Sequence, residues 1–156
     1  MIEPRSHAAP PEADPDVVSI DGILRALYEV VSGPAGPRDW KRERKLFLPE
    51  ANLMPSGNSP AGGTGRQVFD LDGYIASRSS FFEKNDFYEI ETARRTFVFG
   101  DKAQVLSAYE GRRTPDGSPF LRGINGIQLF YDGRRWWVLS IAWDNETPNN
   151  PLPDLP

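Results

Sequence analysis

The sequence predicts an α+β domain, with helices first and long antiparallel strands last, and three observations carry that expectation. An apolar stripe of helical period precedes Gly33-Pro34. Four runs of about twelve residues, rich in β-branched, aromatic and aliphatic side chains, begin near Phe87. The joints between those runs, Gly100-Asp101, Thr114 to Pro119 and Asp132-Gly133, are short enough for hairpins. Helices grouped ahead of strands pack on one face of a sheet instead of alternating with it.

In the first element, Ile20, Ile23, Leu24, Leu27, Tyr28 and Val31 recur at the helical period, behind a cap at Asp16 or Ser19 and ahead of Gly33-Pro34. After the loop Gly33 to Pro37, Asp39 is expected to cap a second helix carrying Trp40, Leu46, Phe47 and Leu48, stopped by Pro49, with Trp40 and Phe47 on one face. Two short strands are expected around Asn52 to Met54 and Arg66 to Phe69. The Gly-rich loop Pro55 to Gly65 between them lacks the Lys-Ser/Thr ending of a phosphate loop and the spacing of a dinucleotide fingerprint. Asp70 or Asp72 then caps a third helix bearing Leu71, Tyr74, Ile75, Arg78, Phe81 and Phe82, ending near Lys84-Asn85.

Strands follow at about Phe87 to Phe99, Lys102 to Arg113, Phe120 to Tyr131 and Arg134 to Asn145, an antiparallel meander. Each is roughly twice the usual strand length, which implies twist, coiling or bulges and hence a curved sheet with the helices in its concave face. Asp132-Gly133 is the pair expected of a two-residue type I′ turn. The chain therefore divides into a leader (1–16), a single domain (17–147) and a Pro-rich tail (148–156) that cannot extend the sheet.

Composition excludes several function classes. With 18 basic against 22 acidic residues and a pI near 5.1, no broad positive field is available for nucleic acid or an anionic membrane. Cysteine is absent, and the one histidine, His7, lies in the leader, so thiolate or core-histidine catalysis and a zinc or copper site are not expected, nor is any cofactor. The leader contains no apolar run of signal-peptide length and the chain no 18-residue apolar segment, so the cytoplasm is the expected location and the sequon Asn145-Glu146-Thr147 is read as accidental.

The element order and local motifs resemble the nuclear transport factor 2 superfamily, in its SnoaL-like branch of small bacterial proteins. The residues that carry the resemblance are Leu27-Tyr28, Arg38-Asp39-Trp40 leading to Leu46-Phe47, Ala103-x-Val105-x-Ser107, Arg122 to Asn125, and Arg135-Trp136-Trp137 leading to Trp143-Asp144 and Asn150-Pro151. The resemblance covers about residues 17 to 152. It implies a cone-shaped, cystatin-like roll with three helices on a curved antiparallel sheet, a fold whose members include isomerases, dehydratases, cyclases, transport adaptors and oligomerisation modules. Ketosteroid isomerases of the group use a helix-one tyrosine as oxyanion donor, which Tyr28 matches, and an aspartate base beside the first short strands. Here the corresponding stretch, Met54-Pro55-Ser56, has no carboxylate.

Two-residue turns fix hairpin registers. In the first hairpin they set Glu91 opposite Glu110, Glu89 opposite Arg112 and Arg95 opposite Leu106 on one face, with Thr92 opposite Tyr109 and Arg94 opposite Ser107 on the other. In the second they set Gln128 opposite Trp137 and Arg122 opposite Trp143 on one face, with Asn125 opposite Ser140 on the other. Directly opposed glutamates repel. Either Glu91 and Glu110 share a partly buried site that raises one pKa and makes a general acid or base, or Arg95, Arg112 and Arg122 neutralise a solvated ladder. Tyr28, Glu91 and Glu110 are thus the candidates for catalysis, and Tyr28, Trp40, Tyr109, Arg122, Asn125, Gln128 and Trp143 for ligand binding.

The sequence reading is a protein that binds a small hydrophobic molecule in the cone and dimerises through the convex face of the sheet, whose strands carry apolar residues on both sides. Two alternatives stand beside it: an acid-base enzyme acting on a polyketide- or steroid-like substrate, and a non-catalytic dimerisation or accessory module with a filled core.

Overall fold

The computed structural model describes residues 13–56 and 67–155. His7, most of the leader and the glycine-rich stretch up to Arg66 lie outside the described residues. Along the chain come α1 (Ile20–Val31), α2 (Trp40–Arg44), β1 (Phe47–Met54), α3 (Leu71–Lys84), β2 (Tyr88–Phe99), β3 (Lys102–Arg112), β4 (Pro119–Tyr131) and β5 (Trp136–Asn145).

Ser19 caps α1, its Oγ accepting from the Gly22 N–H at 2.9 Å. Asp16 does not cap. Its carboxylate takes the Arg42 guanidinium at 2.8 and 3.0 Å and Lys45 at 3.1 Å, tying the entry of α1 to α2. Asp70 caps α3 through the Gly73 N–H at 2.7 Å.

The second helix is shorter than its sequence suggests. It ends at Arg44, and Leu46, Phe47 and Leu48 lie beyond it, the last two in β1. Pro49 disfavours helical backbone in the residue before it, whereas an extended chain there gains a partner: β1 joins β5 in parallel, with Phe47 opposite Val138 and the Val138 N–H donating to the Leu46 carbonyl at 2.8 Å. Pro49 is tolerated because β1 is an edge strand whose register shifts between Phe47 and Asn52. Trp40 and Phe47 therefore share no helical face; Trp40 packs on Phe82, ring centroids 5.9 Å apart. The second short strand contracts to one bridge, Leu53 to Phe69.

The sheet order is β1-β5-β4-β3-β2, and the sheet is not closed. Strands β2 to β5 form the expected antiparallel meander, but the parallel β1 makes the whole sheet mixed. Helices α1 and α3 cover one face. There Val105, Ile127, Leu129, Trp136 and Val138 meet Ile23, Leu24, Leu27, Tyr74 and Ile75 in the main core, while Val30, Val31, Phe82 and Phe87 form a second cluster around Trp40 and Phe81. No helix among the described residues is long and apolar enough to cross a membrane.

Two bulges revise the registers. In the first hairpin Gly100 supplies the positive φ of the turn, 62°, and Arg95 opposes Leu106 and Arg94 opposes Ser107 as expected. Between Glu91 and Ala93 the register slips by one residue, so Glu91 faces Tyr109, Ile90 faces Glu110 and Glu89 faces Gly111. The glutamates 91 and 110 are not opposed, nor are Glu89 and Arg112 or Thr92 and Tyr109. One extra residue inverts the faces of everything N-terminal to it: Glu89 and Glu91 move to the helix-covered face and Glu110 stays on the open one.

In the second hairpin the turn is the four-residue loop Asp132 to Arg135, with Tyr131 opposite Trp136. The Asp132 carboxylate accepts from the N–H groups of Arg134 and Arg135 at 2.8 and 2.9 Å and from the Trp137 indole at 2.8 Å, a local arrangement that displaces the type I′ turn. A further shift after Gln128 sets Gln128 opposite Ser140 and Asn125 opposite Trp143, replacing the expected partners. It also turns Ile141 to the same side as Trp136 and Val138, into the interior.

Candidate functional site

Between the helices and the sheet lies a partly open cavity of about 150 Å³. Most of its wall is apolar: Leu27 and Val31 of α1, Phe47 and Leu53 of β1, Phe81 and Phe82 of α3, then Phe87, Ile127, Ile141 and Trp143. Polar groups enter from both layers. Tyr28 comes from α1, Glu43 from α2, Tyr74 and Arg78 from α3, Glu89 from β2, and Tyr109, Asn125 and Asn145 from β3, β4 and β5.

Tyr28 is fully engaged. Its hydroxyl lies 2.6 Å from Ser107 Oγ and accepts from Asn125 Nδ2 at 3.1 Å. Ser107 in turn donates to Glu91, so the single serine hydrogen is used there and Tyr28 must be the donor to Ser107. Burial first, and then the negative charge of Glu89, push the Tyr28 phenol up from its ordinary value. A tyrosine whose only proton is spent within the protein offers none to a ligand oxyanion. Tyr109 is in the same state, donating to Asn145 Oδ1 at 2.7 Å.

Glu91 closes this chain of hydrogen bonds and is neutralised from outside: Arg94 grips it at 2.7 to 3.1 Å and also reaches Asp21. It borders a second, shallower groove of about 410 Å³ between α1 and β2, which shares only Tyr28 and Glu89 with the cavity.

Two carboxyls stand without such compensation. Glu43 is 2% exposed and its Oε2 has no hydrogen-bond partner among the described residues. Burial raises its pKa to about 7, against a small opposing effect of Arg44. Glu89 is half-buried at the cavity wall, and loss of solvent there likewise raises its pKa to about 7, the Asn125 amide acting in the other direction by favouring the charged form. Burial first, and then the charges of Glu43 and Glu89, raise the pKa of the Tyr74 hydroxyl, against an opposing effect of Arg78. The Tyr74 ring meets Trp143 edge to face at 5.9 Å.

The sequence candidates divide accordingly. Tyr28, Tyr109, Asn125 and Trp143 line the cavity, and Glu91 is linked to it through Ser107. Trp40 packs behind it on Phe82. Arg122 and Gln128 are exposed on the other face, where Arg122 pairs with Glu146 at 2.9 Å and Gln128 accepts from Ser140 at 3.0 Å. Glu110 is there too, held by Arg112 at 2.7 Å, the neutralised-ladder arrangement. Sequence reasoning missed Glu43, Glu89 and Asn145 as cavity residues. Glu43 carried a readable signal, one helical turn after Trp40 in its stripe, masked by four flanking basic residues, Lys41, Arg42, Arg44 and Lys45. For Glu89 there was none, since its face depends on the bulge. Among the described residues no group of three or more His, Asp or Glu side chains converges as a metal site.

No protein-family model and no curated protein sequence matches the chain. Solved structures do. A nuclear transport factor 2-like protein of unknown function from Silicibacter pomeroyi superposes with a TM-score of 0.54 at 13% identity, over 81% of this chain and 92% of that one. A cystatin-like protein of unknown function from Nostoc punctiforme gives 0.60 at 9% identity over 81% and 90%. A candidate ketosteroid isomerase from Parabacteroides distasonis gives 0.56 at 10% identity over 84% and 91%. Identities this low speak to the arrangement of the backbone alone. Helices laid on one face of a curved open sheet around an interior cavity, and superposing on these structures, give this chain the nuclear transport factor 2-like, cystatin-like α+β fold.

Proposed function

We propose that this chain is a SnoaL-like protein that binds a small hydrophobic molecule, of about one ring, in its cavity. The observation that carries the reading is the cavity itself: about 150 Å³ behind a wall of aliphatic and aromatic side chains. An apolar cavity of that size in another protein stays dry and takes up benzene. It is smaller than the roughly 300 Å³ at which sites for drug-sized ligands begin, which argues against a steroid- or polyketide-sized substrate. An accessory module with a filled core is disfavoured by the same space. The commitment of the Tyr28 and Tyr109 protons to Ser107 and Asn145 favours binding over an isomerase that needs a free oxyanion donor.

The reading includes a homodimer through the open face of the sheet. Phe97 and Phe99 are 70% and 76% exposed there, with Leu106 beside them on β3. A second copy would remove that surface from water. Sedimentation equilibrium of the chain and of Phe97→Asp tests this part, and a monomeric parent would end it.

For the cavity, titration with toluene followed by thermal unfolding is decisive. Ligand that binds only the folded state raises the melting temperature in proportion to ln(1 + [L]/Kd). Ile141→Phe, which fills the space, should abolish the shift while remaining folded. No shift with toluene or with benzyl alcohol would overturn the proposal.

A specific observation favours proton transfer as a second reading: Glu89 in the cavity wall has a pKa of about 7, suited to a general base at neutral pH. Deuterium exchange at the α-carbon of cyclohexanone, followed by proton NMR and lost in Glu89→Gln, would support it. Exchange at the buffer rate would dispose of it.

A further inference from the structure

The cavity is apolar in its walls but not in its charges. Of its two carboxyls, Glu43 is buried to 2% exposure with Oε2 unpartnered. An unpaired buried carboxylate oxygen is uncommon because its desolvation is costly unless something hydrogen-bonds it. Among the described residues the neighbouring charges do not supply that partner: Arg44 alone acts on Glu43, and no cationic side chain acts on Glu89. The other carboxylates near the core are answered, Asp16 by Arg42 and Lys45, Glu91 by Arg94 and Glu110 by Arg112.

The same cavity wall carries the rings of Phe47, Tyr74, Phe81, Phe82 and Trp143. Carboxylates together with aromatic faces are the chemistry that holds an organic ammonium, one by charge-assisted hydrogen bonds and the other through the ring quadrupole. Two guanidinium groups also touch the wall. Arg113 is exposed and held outward, its carbon 4.0 Å from the Phe120 ring centroid and its N–H on the Asp86 carbonyl. Arg78, on α3, acts on Tyr74 but on neither carboxyl.

Resting on the cavity-binding reading above, we propose that the ligand class is a small aromatic or aliphatic amine in its ammonium form, its cation held by the carboxyls of the cavity wall, Glu43 and Glu89, and its ring against the apolar side chains. The polar groups that share the cavity wall with the carboxyls are Tyr74 and Arg78 on α3, Tyr28 on α1, Tyr109 on β3 and Asn125 on β4, and Arg44 on α2 acts on Glu43 from beside it. The phenols among them are neutral throughout the range that matters, so the carboxyls alone titrate between pH 6 and pH 8. An ammonium in the cavity favours their ionised forms and lowers their pKa, so binding near neutrality releases protons.

The test uses the full chain and three probes of nearly equal shape, toluene, benzyl alcohol and benzylamine, measured by isothermal titration calorimetry at pH 6 and pH 8 in buffers of different ionisation enthalpy. Benzylamine should bind about tenfold tighter than benzyl alcohol at pH 8, the lower end of the worth of a charge-assisted hydrogen bond. The preference should shrink at pH 6, and only benzylamine should release protons. Glu43→Gln and Glu89→Gln should each lose the preference and still bind benzyl alcohol. Should Glu43→Gln not fold, Glu89→Gln and the pH comparison on the unaltered chain decide. If toluene or benzyl alcohol binds and benzylamine binds no tighter at pH 8, the amine assignment is wrong and the cavity reading stands. If none of the three binds, both fall.

Discussion

Replacing Glu43 by Gln should make this protein more stable in a strongly pH-dependent way. Burial holds the Glu43 carboxyl at about 7, against a reference value of 4.5. With the folded-state pKa above the unfolded one, the native protein binds more protons than the unfolded chain across that window. Stability is therefore intact below about pH 4.5 and is lost as pH rises toward 7 and beyond. At about 1.4 kcal/mol per unit the full loss is about 3 kcal/mol, of which about 2 kcal/mol develops between pH 5.5 and pH 8. Gln has nearly the same shape and no charge, and whatever its unpaired amide costs does not change with pH. Glu89 titrates in both proteins and leaves the difference to Glu43. Urea unfolding of parent and variant at pH 5.5 and pH 8 should show the variant gaining about 2 kcal/mol over the parent from the lower pH to the higher. A difference independent of pH would refute the claim that this carboxyl is buried without a partner.

Tyr28→Phe keeps the ring and strands the Asn125 amide and the Ser107 oxygen, so urea unfolding should show a loss of about 1–3 kcal/mol, and a loss under about 0.5 would contradict the network. Gly123→Ala should cost about 2 kcal/mol or more in the same measurement, because a Cβ there would lie 2.3 Å from the Asp144 carbonyl oxygen and 2.3 Å from the Tyr109 hydroxyl; a neutral effect would mean that the β4–β5 contact is looser than described. Glu110→Gln, on the open face beside Arg112, should change stability by less than about 1 kcal/mol in urea unfolding; a loss of several kcal/mol would mean that Glu110 is not the solvated, arginine-paired group described.

The sequence by itself determined the elements whose physics is local. The stripe from Ile20 to Val31, the cap and apolar face from Asp70 to Lys84, and the four long strands were legible because periodicity, capping and turn residues act within a few positions of one another. Tyr28, on the apolar stripe of its helix, and Asn125, an amide within an otherwise apolar strand, were legible as interior groups for the same reason, whereas Trp143 joined Asn125 on the inner face only through the shift after Gln128. Tertiary structure alone decided the rest. Leu46 to Leu48 left the helix because a parallel partner, β5, was available to their backbone from a distant part of the chain. The extra residue at Thr92 and the shift after Gln128 decided which face each side chain occupies: they brought Glu89 into the cavity, left Glu110, Arg122 and Gln128 outside it, and turned Glu91 toward Tyr28. A strand's face alternates with every residue, so one bulge reverses the meaning of a sequence pattern, and bulges answer to the bending of a whole sheet around its helices, a demand that no local stretch of sequence records.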